Sequence, residues 1–305
     1  MGAFEPLVED LSPDVVIVVG DVNSSLACAL VAAKAGSLVA HVEAGLRSRD
    51  WGMPEEVNRV VTDRISDYLL APSADAVENL RSEGYRADQV HLVGNVMIDT
   101  LLANLARARE RTVLADLGLS AGGYGLVTLH RPATVDAPEV LAPLLAALEV
   151  VARHCPLVLP VHPRAKASLD RLRRPGSRIT LLPPAGYLDC IALQASARLV
   201  LTDSGGVQEE TTALGVPCLT LRDNTERPIT VSEGTNRLIG RDPAQVVHAA
   251  LQVLDSPPPA RKPALWDGRA GRRIADVVLA GGLAEGHLRP TDIMDEKVDL
   301  LERIA

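Results

Sequence analysis

The chain has 305 residues, 47% of them apolar, and 39 acidic side chains against 31 lysines and arginines, for a net charge of −8. With a mean hydropathy of +0.12 it can bury two ordinary cores, and the acidic balance without a basic block argues against a nucleic acid or an anionic membrane as partner. Aromatic residues make up only 2%, so the packing rests on Leu, Val, Ile and Ala, as it does in helix-flanked parallel sheets.

The four cysteines, Cys28, Cys155, Cys190 and Cys218, lie scattered in apolar stretches without CxxC spacing. They read as buried thiols in a reducing cytoplasm rather than as disulfides or zinc ligands. The sequence opens on a mixed, acidic segment and contains no run of about 18 apolar residues, so it reads as neither secreted nor membrane-spanning.

Short apolar runs alternate with longer helix-like segments, which predicts repeated βα units and an α/β fold of two doubly wound domains. In the first half strands are expected at 15–20, 38–42, 68–72 and 89–94, with helices over about 24–35, 55–66, 74–83 and 98–109. The Gly-rich stretch ADLGLSAGGYG, 115–125, is the expected boundary. The second half restarts with strands at 125–130, 156–161, 178–182, 198–202, 218–221 and near 237–240, and the regular pattern ends at PPPARKP, 257–263. The expected domains are therefore 1–114 and 115–282, followed by a charged tail, 283–305.

Ligands of open α/β sheets sit beyond the carboxyl ends of the strands. That rule gathers Asp21, Glu43, His130, Arg131, His162 and Ser204, each of which follows a strand, toward one expected cleft. LVLTDSGG leads from a strand into a helix, so the backbone N–H groups at Ser204, Gly205 and Gly206 suit an anion. Glu209 or Glu210 can bind the hydroxyls of a ribose, and Arg222 or Arg227 can grip a diphosphate. A capped βα loop explains the same residues without a ligand. Asp21 equally reads as a helix N-cap, and Glu55 and Glu56 as favourable charges in a helix first turn after Pro54. Glu43 ends an apolar strand, where a buried, unpaired carboxylate would be costly. His130 reads as a strand-end histidine or, with Arg131, as a cationic pair for a leaving diphosphate. His162 in PVHPR reads as an anion contact or a structural residue, and Arg47, Arg49 and Arg59 as solvated charges.

GDVNSSLACAL, HVEAGLRSRDWGMPEEVNRVVTDRISDYLLAPS, GNVMID, TLHRPATVD, PVHPR, TDSGGVQEE, GVPCLTLRDNTERP and EGTNRLIG resemble, in this order, the non-hydrolysing UDP-N-acetylglucosamine 2-epimerases, over about 13–275. The resemblance implies a glycosyltransferase-B-like pair of Rossmann domains and interconversion of UDP-N-acetylglucosamine and UDP-N-acetylmannosamine. In that reaction UDP is eliminated to leave a 2-acetamidoglucal and is then added back. It further implies acid/base roles for Asp21, Glu43, Glu55 and His130, and UDP contacts at Ser204, Gly205, Glu210 and Arg227. No metal or nicotinamide cofactor is expected, and the partners implied are a UDP-sugar and a second copy in a homodimer, serving cell-surface polysaccharide synthesis.

Two departures from the family pattern stand out. The family begins with a further strand and a GTRPE-type loop, so the resemblance implies a first domain shortened at its start, with UDP binding kept and epimerisation weakened. Cys190 stands where the family commonly has Phe near the uracil, and Thr134 where a variant of the histidine loop has Asn. The alternatives are a hydrolysing relative that releases N-acetylmannosamine and UDP, and a non-catalytic UDP-sugar-binding homologue. A retaining glycosyltransferase is disfavoured by the HVEAG and MPEEVNR pattern.

Overall fold

The computed structural model describes residues 1–161, 166, 169 and 176–284. It contains two parallel sheets whose ten strands all fall within the runs read from the sequence, give or take a residue at their ends. β1 (Val15–Val19), β2 (Leu38–Val42), β3 (Tyr68–Ala71) and β4 (Val90–Leu92) form the first sheet in that order. β1 is an edge strand. Its Val16 and Val18 are buried, whereas Ile17 and Val19 are exposed. β2 and β3 are buried almost throughout, which is why they read as unbroken apolar runs.

The second sheet runs β10-β9-β8-β5-β6-β7, built from β5 (Gly125–Thr128), β6 (Leu157–Pro160), β7 (Ile179–Leu182), β8 (Leu199–Thr202), β9 (Cys218–Thr220) and β10 (Asn236–Leu238). The chain order reverses at β5, which pairs with both β6 and β8. Loops after β5 and β8 therefore emerge side by side at the switch point, where such sheets bind ligands.

The chain divides into two compact units, Met1–Val96 with Arg269 onward, and Met97–Gly268. This differs from the expected division at 114/115. The helix Val96–Arg109 buries Ile98 and Leu101 with Ile191 and Trp266, all in the second unit, so the Gly-rich stretch near 115–125 is a loop inside that unit and not a boundary. The helix Ala270–Ala284, expected to close the second domain, instead sends Ile274 and Val278 against Ala40, Val42, Tyr68 and Leu70 of the first sheet. The i, i+4 spacing of those two residues is an ordinary amphipathic stripe, and nothing in it says which sheet it will cover. Most of the expected tail lies outside the described residues.

One turn in the first unit is sterically fixed. Gly45 has φ +83°, and a Cβ there would lie 2.4 Å from the Ala76 carbonyl oxygen, whereas Gly36, at φ +85°, has open space around it. Gly45→Ala should cost about 3 kcal/mol through strain and clash, and Gly36→Ala about 1 kcal/mol through strain alone. Urea unfolding of the two variants should show that gap.

Candidate functional site

In the first unit the loops after β1 and β2 are tied to one buried carboxylate. Asp63, on the helix Pro54–Arg64, is fully buried. Its Oδ1 lies 2.6 Å from Nδ1 of His41, and its Oδ2 accepts from Nη1 of Arg47 at 2.7 Å and from the Gly45 N–H at 3.1 Å. The other ring nitrogen of His41 lies 3.1 Å from the Gly20 carbonyl oxygen. Asp63 thereby fixes the residues on both sides of Glu43 and, through His41, the residue before Asp21.

Glu43 itself takes φ +72°, a strained conformation for a residue with a Cβ. Its Oε2 stands 3.7 Å from where a Cβ on Gly20 would be, so the Glu43 carboxylate lies over the turn that carries Asp21. Asp21 accepts from Arg59 at 2.5 Å, and Asn58 ties down the Asp21 carbonyl at 2.9 Å.

The two neighbouring glutamates part company. Glu56 is buried and accepts from the Ser48 and Arg49 N–H groups at 2.9 and 2.8 Å, from the Ser48 hydroxyl, and from Arg59. Burial pushes its carboxyl upward, but those donors outweigh it and hold the group below the usual range. Glu55 is exposed. Of the arginines expected to be solvated, only Arg49 is exposed; Arg47 and Arg59 are buried. Arg47 grips Glu83 with Nε and Nη2 at 2.9 and 2.7 Å as well as pairing with Asp63, and Arg59 bridges Asp21 and Glu56. Their burial follows from the carboxylates around them, which a reading of local pattern does not reveal.

In the second unit a second buried carboxylate plays the same part. Asp203, at the end of β8, is wholly buried and accepts from the His130 N–H at 3.1 Å and the Arg131 N–H at 3.0 Å. It also pairs with Nδ1 of His130 at 2.8 Å, while its carbonyl oxygen accepts from Nε of Arg131 at 3.0 Å. The His130 side chain remains 48% exposed, so its Nδ1 is held while its ring edge meets solvent.

Ser204 caps the helix Gly205–Leu214 in an extended conformation. A Cβ on Gly205 would come within 2.7 Å of Glu226 Oε1 and 2.8 Å of Arg227 Nη1, so glycine lets the RDNTERP loop close onto the helix start. In that loop Glu226 is a buried hub. It accepts from Arg222 at 2.8 Å and Arg227 at 2.6 Å, and Arg131 stands 3.8 Å away. Arg227 also pairs with Glu209 at 2.9 Å, so its fork is engaged by two carboxylates. Glu210 accepts from Gln194 at 2.7 Å and from the Tyr187 hydroxyl, and burial pushes its carboxyl above the usual range despite both bonds. Burial, with the Glu210 charge next, pushes the Tyr187 phenol up to about 12, so it stays a donor at neutral pH. His162 lies outside the described residues.

The structure thus brings Asp21 and Glu43 together in one unit, and His130, Arg131, Ser204 and Arg227 together in the other. Asp63, His41, Asp203 and Glu226 had no such role in the sequence reading. TDSGG signalled Asp203 only as a helix-start residue, and NTERP hid Glu226 beside the two arginines that attracted attention. Among the described residues, no cluster of His, Cys, Asp and Glu has an arrangement that could hold a metal ion, and no helix is long and apolar enough to cross a membrane.

Burial raises the Glu226 carboxyl, but the charges of Arg227 and Arg222 more than offset this and bring it down to about 2. A carboxyl lowered in the folded state contributes stability above its unfolded value, and that stability is lost as pH falls through the folded value. Between about pH 4.5 and 2 the protein should lose on the order of 3 kcal/mol from this group. Glu226→Gln should be less stable at neutral pH and show a flatter acid limb; an unchanged acid limb would show that Glu226 is not held as described.

The sequence profile of the UDP-N-acetylglucosamine 2-epimerase family matches residues 1–279. A UDP-N-acetylglucosamine 2-epimerase from Methanocaldococcus jannaschii is 42% identical over 285 residues, covering 88% of this chain and 76% of the relative. A UDP-2,3-diacetamido-2,3-dideoxy-D-glucuronate 2-epimerase from Pseudomonas aeruginosa is 40% identical over 278 residues, covering 90% and 77%. The crystal structure of the M. jannaschii UDP-GlcNAc 2-epimerase in complex with UDP-GlcNAc and UDP superposes with a TM-score of 0.82 at 40% identity, over 91% of this chain and 79% of that one. The fold is accordingly a glycosyltransferase-B-like pair of Rossmann domains, and the chain belongs to the UDP-N-acetylglucosamine 2-epimerase family.

Proposed function

We propose that the chain interconverts UDP-N-acetylglucosamine and UDP-N-acetylmannosamine by elimination and re-addition of UDP. The observation that carries this reading is the pairing of Asp21 with Glu43 on loops fixed by one buried carboxylate. Inverting C2 takes a proton from one face of the ring and returns one to the other, which calls for more than one acid/base group. Asp21, Glu43 and the exposed Glu55 are the candidates. A diphosphate leaves when donors meet its developing charge, and the second unit offers the helix start at Ser204, Gly205 and Gly206 together with His130 and Arg131. Glu210 suits a ribose. Arg227, held by Glu209 and Glu226, shapes this site and reaches a diphosphate by exchanging one of those partners. Organic acid/base chemistry of this kind needs no metal or nicotinamide. Free thiols at all four cysteines fit a cytoplasmic setting, and the family resemblance adds a homodimer.

The 40% identity to an epimerase named for a diacetamido glucuronate favours one second reading, in which the sugar carries different groups at C3 and C6 and the same C2 chemistry applies. Incubation with each UDP-sugar in D2O, followed by NMR, tests both. Deuterium should enter C2 of the accepted sugar in step with epimerisation. Epimerisation with full retention of the C2 proton would contradict the mechanism, and release of free N-acetylmannosamine with UDP would establish a hydrolysing enzyme instead.

The adjacent glutamates supply a second test. Glu55→Gln should lower kcat by about a hundredfold or more with little change in thermal stability. Glu56→Gln should cost about 2 kcal/mol of stability, because it weakens an acceptor for two backbone N–H groups and Arg59. Urea unfolding and steady-state kinetics on the two variants separate the roles, and the opposite pattern would reverse the assignment.

A further inference from the structure

We infer that Tyr187 is the platform on which the nucleobase of the bound uridine nucleotide stacks. The inference rests on the UDP reading of the second unit and adds to it a residue that recognises the base.

A base presents two flat faces that gain from contact with another ring, and such stacking is tolerant of detail because it needs only an exposed aromatic surface. The second unit, Met97–Gly268, contains three aromatic side chains: Tyr124, Tyr187 and Trp266. Tyr124 and Trp266 are sealed in the core, the former with its hydroxyl on the Leu193 carbonyl oxygen at 2.6 Å. Tyr187 is 45% exposed. Cys190, further along the same helix, offers only a thiol.

Position supports the same choice. Tyr187 opens the helix Tyr187–Ala195, which follows β7, and so lies beyond the carboxyl ends of the strands like His130 after β5 and Ser204 after β8. Its helix is anchored by Ile191 and Leu193 in the core, so the ring stands on a fixed support. Its hydroxyl is bonded to Glu210. Glu210 in turn lies on the helix that begins at Gly205, roughly 7 Å from that glycine along the axis. The groups suited to an aromatic base, to ribose hydroxyls and to a diphosphate therefore succeed one another as Tyr187, Glu210 and Gly205 with Gly206, the order of the three parts in a nucleoside diphosphate.

The test is calorimetric binding of UDP and of inorganic pyrophosphate to the wild type and to Tyr187→Phe, Tyr187→Leu and Tyr187→Ala, each checked for a wild-type thermal transition. Tyr187→Ala should bind UDP about tenfold more weakly and pyrophosphate as the wild type does. Tyr187→Phe should keep UDP affinity within about threefold, and Tyr187→Leu, which fills the space without a ring, should fall between the two. Unchanged UDP affinity in Tyr187→Ala and Tyr187→Leu would overturn the inference, and so would an equal loss for UDP and pyrophosphate. Failure of the wild type to bind UDP at all would instead remove the UDP reading of the unit, and this inference with it.

Discussion

A carboxylate with no access to water must be met by donors or its burial is prohibitively costly, and Asp203 meets that demand with the chain that carries His130. Two backbone N–H groups, an imidazole nitrogen and, through its carbonyl, the Arg131 guanidinium all converge on this residue. The loop after β5 is thereby fixed to the end of β8, its neighbour in the sheet. Asp63 solves the same problem in the first unit, with His41, Arg47 and the Gly45 N–H as donors. In both places the internal charge holds a loop, and the loop presents a different, more accessible group: His130 in one case, Asp21 and Glu43 in the other.

The acidic side chains are sorted by environment rather than by type. Glu226 and Glu56 are surrounded by cations and N–H groups and stay ionised in the interior. Glu210, buried with only a neutral amide and a phenol as its named donors, is pushed the other way. Glu55 is left in solvent beside Glu56. The first pair is structural because its lone pairs are already in use, whereas a group with spare acceptor capacity can still bind a hydroxyl or move a proton. This division explains how a chain rich in carboxylates can devote only a few to chemistry.

Much of this was legible in advance. Ten apolar runs became ten strands because strands buried on both faces leave an unbroken apolar signature, and the rule that ligands gather at carboxyl ends picked out Asp21, Glu43, His130 and Ser204. Partnerships between residues far apart in the chain were not legible. Arg47 and Arg59 look like ordinary solvated charges until Asp63, Glu83, Asp21 and Glu56 are placed around them. The division between units was misplaced for a similar reason: Gly-rich 115–125 marks a loop, but only the packing of Ile98 and Leu101 shows which core owns the preceding helix. The helix at 270–284 reads as amphipathic, and its destination on the first sheet depends on a surface that the local pattern does not contain.

The central claim is that a buried carboxylate sets the geometry of the groups that do the chemistry. Steady-state kinetics of Asp203→Ala, with UDP-N-acetylglucosamine as substrate and folding confirmed by a cooperative thermal transition, tests it most directly. The account predicts a fall in kcat of about a hundredfold or more, because a histidine displaced by even an ångström loses its alignment. A folded variant whose kcat stays within about threefold of the wild type would contradict it.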